Sequence, residues 1–363
     1  MRVLITPLDW GLGHATRCIP IIRELLGRGC TVFVAGNGDS LLLLKKEFPS
    51  LRYFDLPAYD PVYPSGGSMA IKMAFQVPKF LTAIRNEHRT IDSLIQTKKI
   101  DLIISDNRYG CWSSRVPSVF ITHQLNIQIP RSYEWLSRHV NALHTKLINK
   151  FPTCWIPDFP QDHDSLTGEL SKPDKSLTSR IVHIGPLSKF DRVTGTTTDY
   201  DVVCILSGPE PQRTILEEKV MIQLEGSGLR YLVVRGSYSK EGEALPNTVS
   251  FLNSNGLQDV ISRSSFVIAR SGYSTIMDLV AMRKKAIVIP TPGQTEQEYL
   301  AKRWSEKGVL LSMTQDDFNL KKAMDQAAKY SGFENVPQDY TELLRNELDH
   351  ALTIPTLPPI NSK

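Results

Sequence analysis

The sequence predicts an α/β protein of two Rossmann-like domains facing across a cleft, and three observations carry that reading. Short β-branched apolar runs alternate with longer helix-periodic segments, and the alternation occurs in two rounds. A polar stretch with turn chemistry separates the rounds. At 363 residues the chain is also too long for one comfortable core, since single cores stop growing at roughly 250 to 300 residues.

In the first round RVLIT leads into HATRCIPIIRELLGRG and TVFVAG into SLLLLKKEF; a long segment from Ser68 to Gln96 follows, then DLIISD and VPSVFITH. This predicts a domain over residues 1–160. Residues 161–200 turn polar, with DHDSLTGELSKPDKSLTS and DRVTGTTTD around a short IVHIGPL, and read as a linker region. Over 201–335 the alternation resumes: DVVCILSG, a helix from Gln212 to Leu224, YLVVRG, VSFLN, a helix over 257–264, SFVIARSG, a helix from Thr275 to Met282, AIVIP, a helix from Glu296 to Lys307, and VLLS. Residues 336–363 supply a C-terminal helix and a Pro-rich tail. That helix and one near Asp316 are expected to pack over the second domain or to return to the first. Open α/β sheets bind ligands outside the carboxyl ends of their strands, which directs attention to the strand-to-helix loops.

Composition narrows the function classes. With 41% hydrophobic and 22% charged residues, the chain has the profile of a soluble globular protein. The net charge is +4 and no block of five or six like charges occurs, so nothing marks a nucleic-acid footprint. Five scattered cysteines, Cys18, Cys30, Cys111, Cys154 and Cys204, show no metal spacing and suit buried thiols in a reducing compartment. The first apolar run is broken by Pro7 and Asp9, and no run of 18 apolar residues follows. A cytoplasmic placement is expected.

The second round carries the clearer chemistry. In ARSGYSTIMDLVAM a buried strand enters Ser271-Gly272 and a helix begins near Ser274 and Thr275. Helix N-termini present unpaired N–H groups and about half a positive charge, which suits a diphosphate. Asp278 follows Ser274 by one helical turn, where an acceptor-only carboxylate can take both ribose hydroxyls. The plainer alternative is that Ser and Thr merely cap the helix. In the next loop, IPTPGQTEQEYLA, Glu296 and Gln297 stand at a helix start where they can grip sugar hydroxyls or simply complement the helix dipole.

These two stretches together resemble the donor half of nucleotide-sugar glycosyltransferases of the GT-B fold, MurG-like enzymes in particular. The resemblance implies a UDP-sugar held in the second domain. It assigns the diphosphate to Ser271, Gly272, Ser274 and Thr275, the ribose to Asp278 and the sugar to Glu296 and Gln297. ILSGPEPQR extends the likeness and adds Ser207, Gly208 and Arg213 to the diphosphate contacts, although Pro209 and Pro211 stand where the family is richer in glycine. Leu257, in NSNGLQDVISRS, matches the base-contacting position.

The first turn, GLGHATR, has glycines at Gly11 and Gly13 but Thr16 in the third place of a dinucleotide fingerprint, and no acidic residue closes the second strand. In the MurG-like family this turn ends in a histidine facing the cleft, which His14 matches. A helix N-terminus disfavours the protonated imidazole, so His14 reads as a base for an acceptor hydroxyl or as a binding residue. Asp9 and Asp106 are competing carboxylates that either serve as base or orient His14. Arg17 lies three residues after His14 on the acceptor side. VFITHQLN places His123 and Gln124 there too, with Gln124 where the family has an acidic residue. GGSMAIKMAFQVPKFLTAIRNEHR interleaves apolar and basic residues and reads as a core helix with a charged rim or as a peripheral membrane contact.

The resemblance therefore implies an inverting, metal-independent glycosyltransferase with no cofactor, using a UDP-sugar as co-substrate and a hydroxyl acceptor, lipid-linked or glycan. A UDP-sugar epimerase of the same fold and a non-catalytic sugar-nucleotide-binding protein are the alternatives.

Overall fold

The computed structural model describes residues 1–59, 69–129, 131–160, 165–191, 197–236, 245–335, 337 and 340–354; the side chains of 69–75 and 131–132 lie outside the described set. Two compact units emerge, Met1–Leu187 with Gln338–Lys363, and Ser188–Pro337.

In chain order the first unit comprises β1 (Arg2–Pro7), α1 (Gly13–Gly27), β2 (Thr31–Gly36), α2 (Gly38–Glu47), β3 (Arg52–Asp55), α3 (Met69–Lys98), β4 (Leu102–Asp106), β5 (Ser118–Ile121), α4 (Ser137–Ile148), β6 (Thr153–Ile156) and β7 (Arg180–His183). The second contains β8 (Tyr200–Ile205), α5 (Gln212–Leu224), β9 (Tyr231–Val234), β10 (Thr248–Val249), α6 (Ser254–Ser262), β11 (Ser264–Ala269), α7 (Tyr273–Met282), β12 (Ala286–Val288), α8 (Thr295–Glu306), β13 (Leu311–Ser312) and α9 (Leu320–Ala327). α10 (Thr341–Thr353) then returns to the first unit.

Both sheets are parallel. The first runs β3-β2-β1-β4-β5-β6-β7 and the second β10-β9-β8-β11-β12-β13. β1 and β4 are buried almost throughout, which is why VLIT and LIIS read as unbroken apolar runs rather than alternating ones. α1 buries Ala15, Cys18, Ile19, Ile22 and Leu25, a stripe at helical spacing, and the chain leaves it through Gly29 at a φ of +72°.

The structure corrects the expected linker. Residues up to Leu187 belong to the first unit, because β7 pairs with β6, Cys154 opposite Ile181, as the sheet's edge strand. The polar residues before it fold inward onto buried Asp158, which accepts from the backbone N–H groups of Leu166 at 2.7 Å and Thr167 at 2.9 Å. Local polarity signalled a linker because a buried carboxylate satisfied by backbone donors looks the same in sequence.

α10 is also a first-unit helix, not a cover for the second. Leu344, Leu348 and Ala351 are buried in it, and Trp155 Nε1 donates to Glu347 at 3.2 Å. Its approach requires Gly185, where φ is +73° and a Cβ would stand 2.6 Å from the Tyr340 carbonyl oxygen. Ion pairs of Arg28 with Asp349 and of Arg345 with Glu24 line the rim. Exposed pairs contribute little, so apolar burial holds the helix. No described helix is long and apolar enough to cross a membrane.

Leu348→Ala should destabilise the protein by about 2–5 kcal/mol, the usual cost of emptying a fully buried leucine site. Ile222→Ala, at a position 74% exposed on α5, should change stability by no more than about 0.5 kcal/mol. Urea unfolding of both variants checks the contrast.

Candidate active site

Sheet order places the first cluster. β1 lies between β2 and β4, and Pro7 pairs with Asp106, so the carboxyl ends of β1 and β4 meet where the strand order reverses. The chain leaves β1 and starts α1 at Gly13, which delivers His14 to Asp106: Nδ1 stands 2.8 Å from Oδ1 across 92 residues of sequence. Arg17, one turn further along α1 and fully buried, grips both oxygens of Asp106 through Nε and Nη2. Its Nη2 is also 2.8 Å from His14 Nδ1, and its Nη1 is 3.1 Å from His123 Nδ1. Four residues selected separately in the sequence thus form one group.

Donor and acceptor rules fix part of its protonation. A guanidinium only donates and an ionised carboxylate only accepts. His123 Nδ1 therefore accepts from Arg17, which leaves its proton on Nε2. His14 Nδ1 has two options: carrying a proton it donates to Asp106, and without one it accepts from Arg17. The first option leaves the Nε2 lone pair open, the form a base needs. Burial, then the Arg17 charge, hold His14 below the usual histidine range, with Asp106 pulling the other way. Burial would raise Asp106, but Arg17 and His14 outweigh it and keep the carboxylate below its ordinary range. Asp106 is thus a carboxylate held between Arg17 and the His14 ring. The His14 side chain keeps 14% of its exposure, enough to be met from solvent.

Asp9 has another task. Its Oδ1 accepts from Ser40 N at 3.1 Å and its Oδ2 from Asn37 Nδ2 at 3.2 Å, which anchors the start of α2. A Cβ on Gly38 would collide with it. Asp9 thus accepts at the start of α2, and burial raises its carboxyl above the usual range. Gly11 takes a φ of +84° in the turn, and Gly13 is the first residue of α1. Gln124 N donates to Thr122 Oγ1, and its carbonyl accepts from His144 Nε2 at 2.9 Å. Burial pushes His144 down to about 4, so this is a neutral strut beneath the loop.

In the second unit β8 and β11 are neighbours at the equivalent reversal, with Ile205 paired to Ala269. This brings the loop carrying Ser207 and Gly208 beside Ser271 and Gly272. Ser207 and Gly208 are exposed, and Gly208 adopts a φ of +105°, which favours glycine. Gly272 is the N-cap of α7, with no side-chain cap and with open space where a Cβ would sit. Ser271 is buried and donates its hydroxyl to the Gln297 carbonyl at 2.8 Å, so it does not cap the helix. Ser274 and Thr275, half-buried, occupy the first turn of α7.

Asp278 lies one turn further on, raised above its ordinary value by burial; Ser188 Oγ donates to its Oδ1 at 2.6 Å and Lys189 Nζ is 3.9 Å from Oδ2. Leu257 packs against the Val203, Val234 and Val260 cluster on α6, whose N-cap Asn253 accepts from Gly256 N. Glu296 is half-buried in the first turn of α8.

Besides Ser271, whose hydroxyl is buried and donated to the Gln297 carbonyl, two more expected ligands are otherwise engaged. Arg213 is buried among Glu210, Glu217 and the Arg235 carbonyl, so its guanidinium is neutralised inside the fold and not offered to a diphosphate. Gln297 takes the Thr291 N–H at 2.8 Å on its own amide oxygen, which uses the side chain to shape its loop. Sequence reading also missed the buried Arg108–Glu87 pair, whose Arg108 Nε donates to the Pro7 carbonyl at 2.8 Å and braces the ends of β1 and β4. Its members are 21 residues apart and carry no motif.

Two parallel Rossmann-like sheets, each with its loop cluster at the strand reversal, give the chain the α/β architecture of the GT-B fold. Solved structures agree: Acinetobacter baumannii MurG aligns with a TM-score of 0.58 at 12% identity, covering 96% of this chain and 99% of that one. The calicheamicin glycosyltransferase CalG4 aligns at 0.62 and 13%, covering 97% and 98%. Residues 203–338 match the glycosyltransferase family 28 C-terminal domain. In sequence the chain is 23% identical to a glycosyltransferase of Methanosarcina acetivorans over 85% of this chain and 84% of that protein. It is 22% identical to the UDP-N-acetylglucosamine--N-acetylmuramyl-(pentapeptide) pyrophosphoryl-undecaprenol N-acetylglucosamine transferase of Natranaerobius thermophilus, over 88% of each. The chain is a glycosyltransferase of the GT-B fold, similar to MurG in fold and to the MurG-type transferase in sequence.

Arg17→Met should raise the pH at which the His14–Asp106 pair takes up a proton. The cation that disfavours imidazolium is then gone, while the carboxylate that favours it stays. His14 ring 15N shifts, followed by NMR, should show the wild-type ring neutral down to below about pH 6.5 and the variant ring charged at higher pH. Arg17→Lys keeps a cation and should lie between them.

Proposed function

We propose that the protein is an inverting, metal-independent glycosyltransferase that moves a sugar from a UDP-sugar to a hydroxyl acceptor, with His14 as base. The observation that carries this reading is the His14–Asp106–Arg17 group: an imidazole held neutral, with a carboxylate to orient it, in a chain whose relatives are glycosyltransferases. His14 Nε2 takes the proton as the acceptor oxygen attacks the anomeric carbon. The bond from that carbon to the diphosphate oxygen breaks on the opposite face, and its electron pair leaves with the nucleotide. One displacement inverts the anomeric centre.

The second unit supplies the donor contacts in this reading. Backbone N–H groups at the uncapped start of α7 face the diphosphate, with Ser207, Gly208, Ser274 and Thr275 around it, and stabilise the charge that develops on the leaving group. No metal or cofactor is required by this chemistry. Asp278 takes the ribose, Leu257 the base and Glu296 the sugar. The choice of uridine is supported by the named donor of the Natranaerobius relative and by a plant enzyme solved with UDP-2-fluoro-glucose. The structural neighbour VinC, solved with DTDP, makes thymidine the competing base to test. Acceptors to try first are lipid-linked and glycan hydroxyls. The candidate for a peripheral membrane contact is the stretch from Met69 to Arg85; the side chains of 69–75 lie outside the described set, and Phe80 and Ile84 pack inward against Leu8, Tyr59 and Ala83.

Incubation with UDP-, dTDP- and GDP-sugars and a panel of such acceptors, followed by mass spectrometry, should show transfer from the UDP donor. His14→Ala should lower the rate by about 10²–10⁴-fold. Because His14 must be neutral to act and titrates below its usual value, the rate should hold down to about pH 6.5 and fall only in more acid solution. Wild-type transfer rates in His14→Ala would remove the base assignment, and donor conversion without any acceptor would make the enzyme an epimerase.

A further inference from the structure

We propose that Arg270 is a positioning residue for the nucleotide diphosphate, a buried cation left without a counter-ion so that its charge acts on the ligand's phosphates. Arg270 follows β11 directly and precedes the Ser271-Gly272 turn, and it is 1% exposed. Its Nη1 donates to the carbonyls of Ile289 and Pro290, both at 3.2 Å; its Nη2 donates to the Gln212 carbonyl at 2.7 Å and to Gln315 Oε1 at 2.6 Å. All four acceptors are neutral.

The remaining buried arginines differ in this respect. Arg17 faces Asp106, Arg108 faces Glu87 and Arg213 faces Glu210 and Glu217. No carboxylate pairs with Arg270 among the described residues. Burying a cation this way is costly unless something else compensates it. Burial draws its pKa down to about 10, which still leaves it charged at neutral pH.

Its bonds also reach the loops that the donor reading uses. Gln212 closes the loop of Ser207 and Gly208, and Pro290 opens the loop toward α8. A second observation falls at the same place. The Thr291 hydroxyl is buried with no partner among the described residues and lies 3.5 Å from where a Gly208 Cβ would be. Arg270 Nε is likewise unpartnered. Donors without acceptors, beside a cation without an anion, describe a place prepared for an oxyanion ligand.

This inference rests on the second unit's binding a nucleoside diphosphate, and the experiment separates the two. Binding of UDP and of uridine is measured by calorimetry and ligand-observed NMR on the full chain, with GDP and dTDP as further probes. Gln315→Glu is the decisive variant, because it sets a carboxylate on Arg270 while leaving the arginine and its loop bonds in place. The Gln212 side-chain amide, which now accepts from Gln315 Nε2 at 2.8 Å, can turn to donate instead.

Gln315→Glu should weaken UDP about tenfold while changing uridine less than about twofold, since only the phosphates sense the lost field. Arg270→Lys should retain most UDP affinity and Arg270→Met should lose it, which keeps the test open if one variant folds poorly. Equal UDP affinity in wild type and Gln315→Glu overturns the inference. Equal losses for uridine and UDP overturn it too, because they mark a purely structural staple. Wild-type protein that binds no nucleoside diphosphate overturns the donor reading itself, before any variant is made.

Discussion

A carboxylate and a guanidinium sealed together at the end of a parallel sheet govern the chemistry of the first unit. Neither Asp106 nor Arg17 is stable alone in that position, since each ion loses several kcal/mol of hydration on burial. Together they satisfy each other, and with burial they set the environment of His14. Asp106 lies against the imidazole and favours its charge, while burial and then Arg17 hold it below the usual histidine range. The pairing is possible only because β1 and β4 are adjacent in register, which turns residues 89 positions apart into partners. Arg108 reinforces the arrangement from below by bonding the Pro7 carbonyl and Glu87.

The second unit repeats the topology with the opposite electrical sense. At its strand reversal stand the uncapped start of α7 and Arg270, with which no carboxylate pairs among the described residues. One fold therefore builds two different environments from the charge placed under the loop cluster. An anion beneath the loops of β1 and β4 suits proton handling, and a cation beneath those of β8 and β11 suits a polyanionic ligand.

Much of this was legible because local pattern and tertiary outcome agree. Alternating apolar runs gave the strands on both sides of each reversal, and the bounds of α5 and α8 follow helical periodicity within one residue. His14, Arg17, Asp106 and His123 were each visible as polar residues at strand ends or helix starts, but their meeting was not, because it depends on strand pairing across the chain. The misreadings share one cause: a residue's local signature does not name its partner. Asp9 read as a candidate base and Gln297 as a sugar contact, and both side chains accept bonds from their own surroundings. Arg213 is instructive, since Glu210 three residues before it and Glu217 four after were in plain sequence, and helical spacing alone pairs them.

The source of positive charge in the second unit has a further physical consequence. A donor site built from exposed lysines would be screened by salt within about 8 Å at physiological ionic strength. Here the charge comes from backbone dipoles at a helix start and from a guanidinium buried under the loops, where mobile ions do not penetrate. The same burial that makes Arg270 expensive to keep makes its field strong per unit charge, because the surrounding dielectric is low. The neutral partners then have a definite role. Carbonyls of Ile289, Pro290 and Gln212 and the amide of Gln315 hold the guanidinium in position without cancelling it. A carboxylate in any of those places would secure the loops equally well and remove the charge, so the absence of one distinguishes this arginine from the three that serve the fold alone or orient His14.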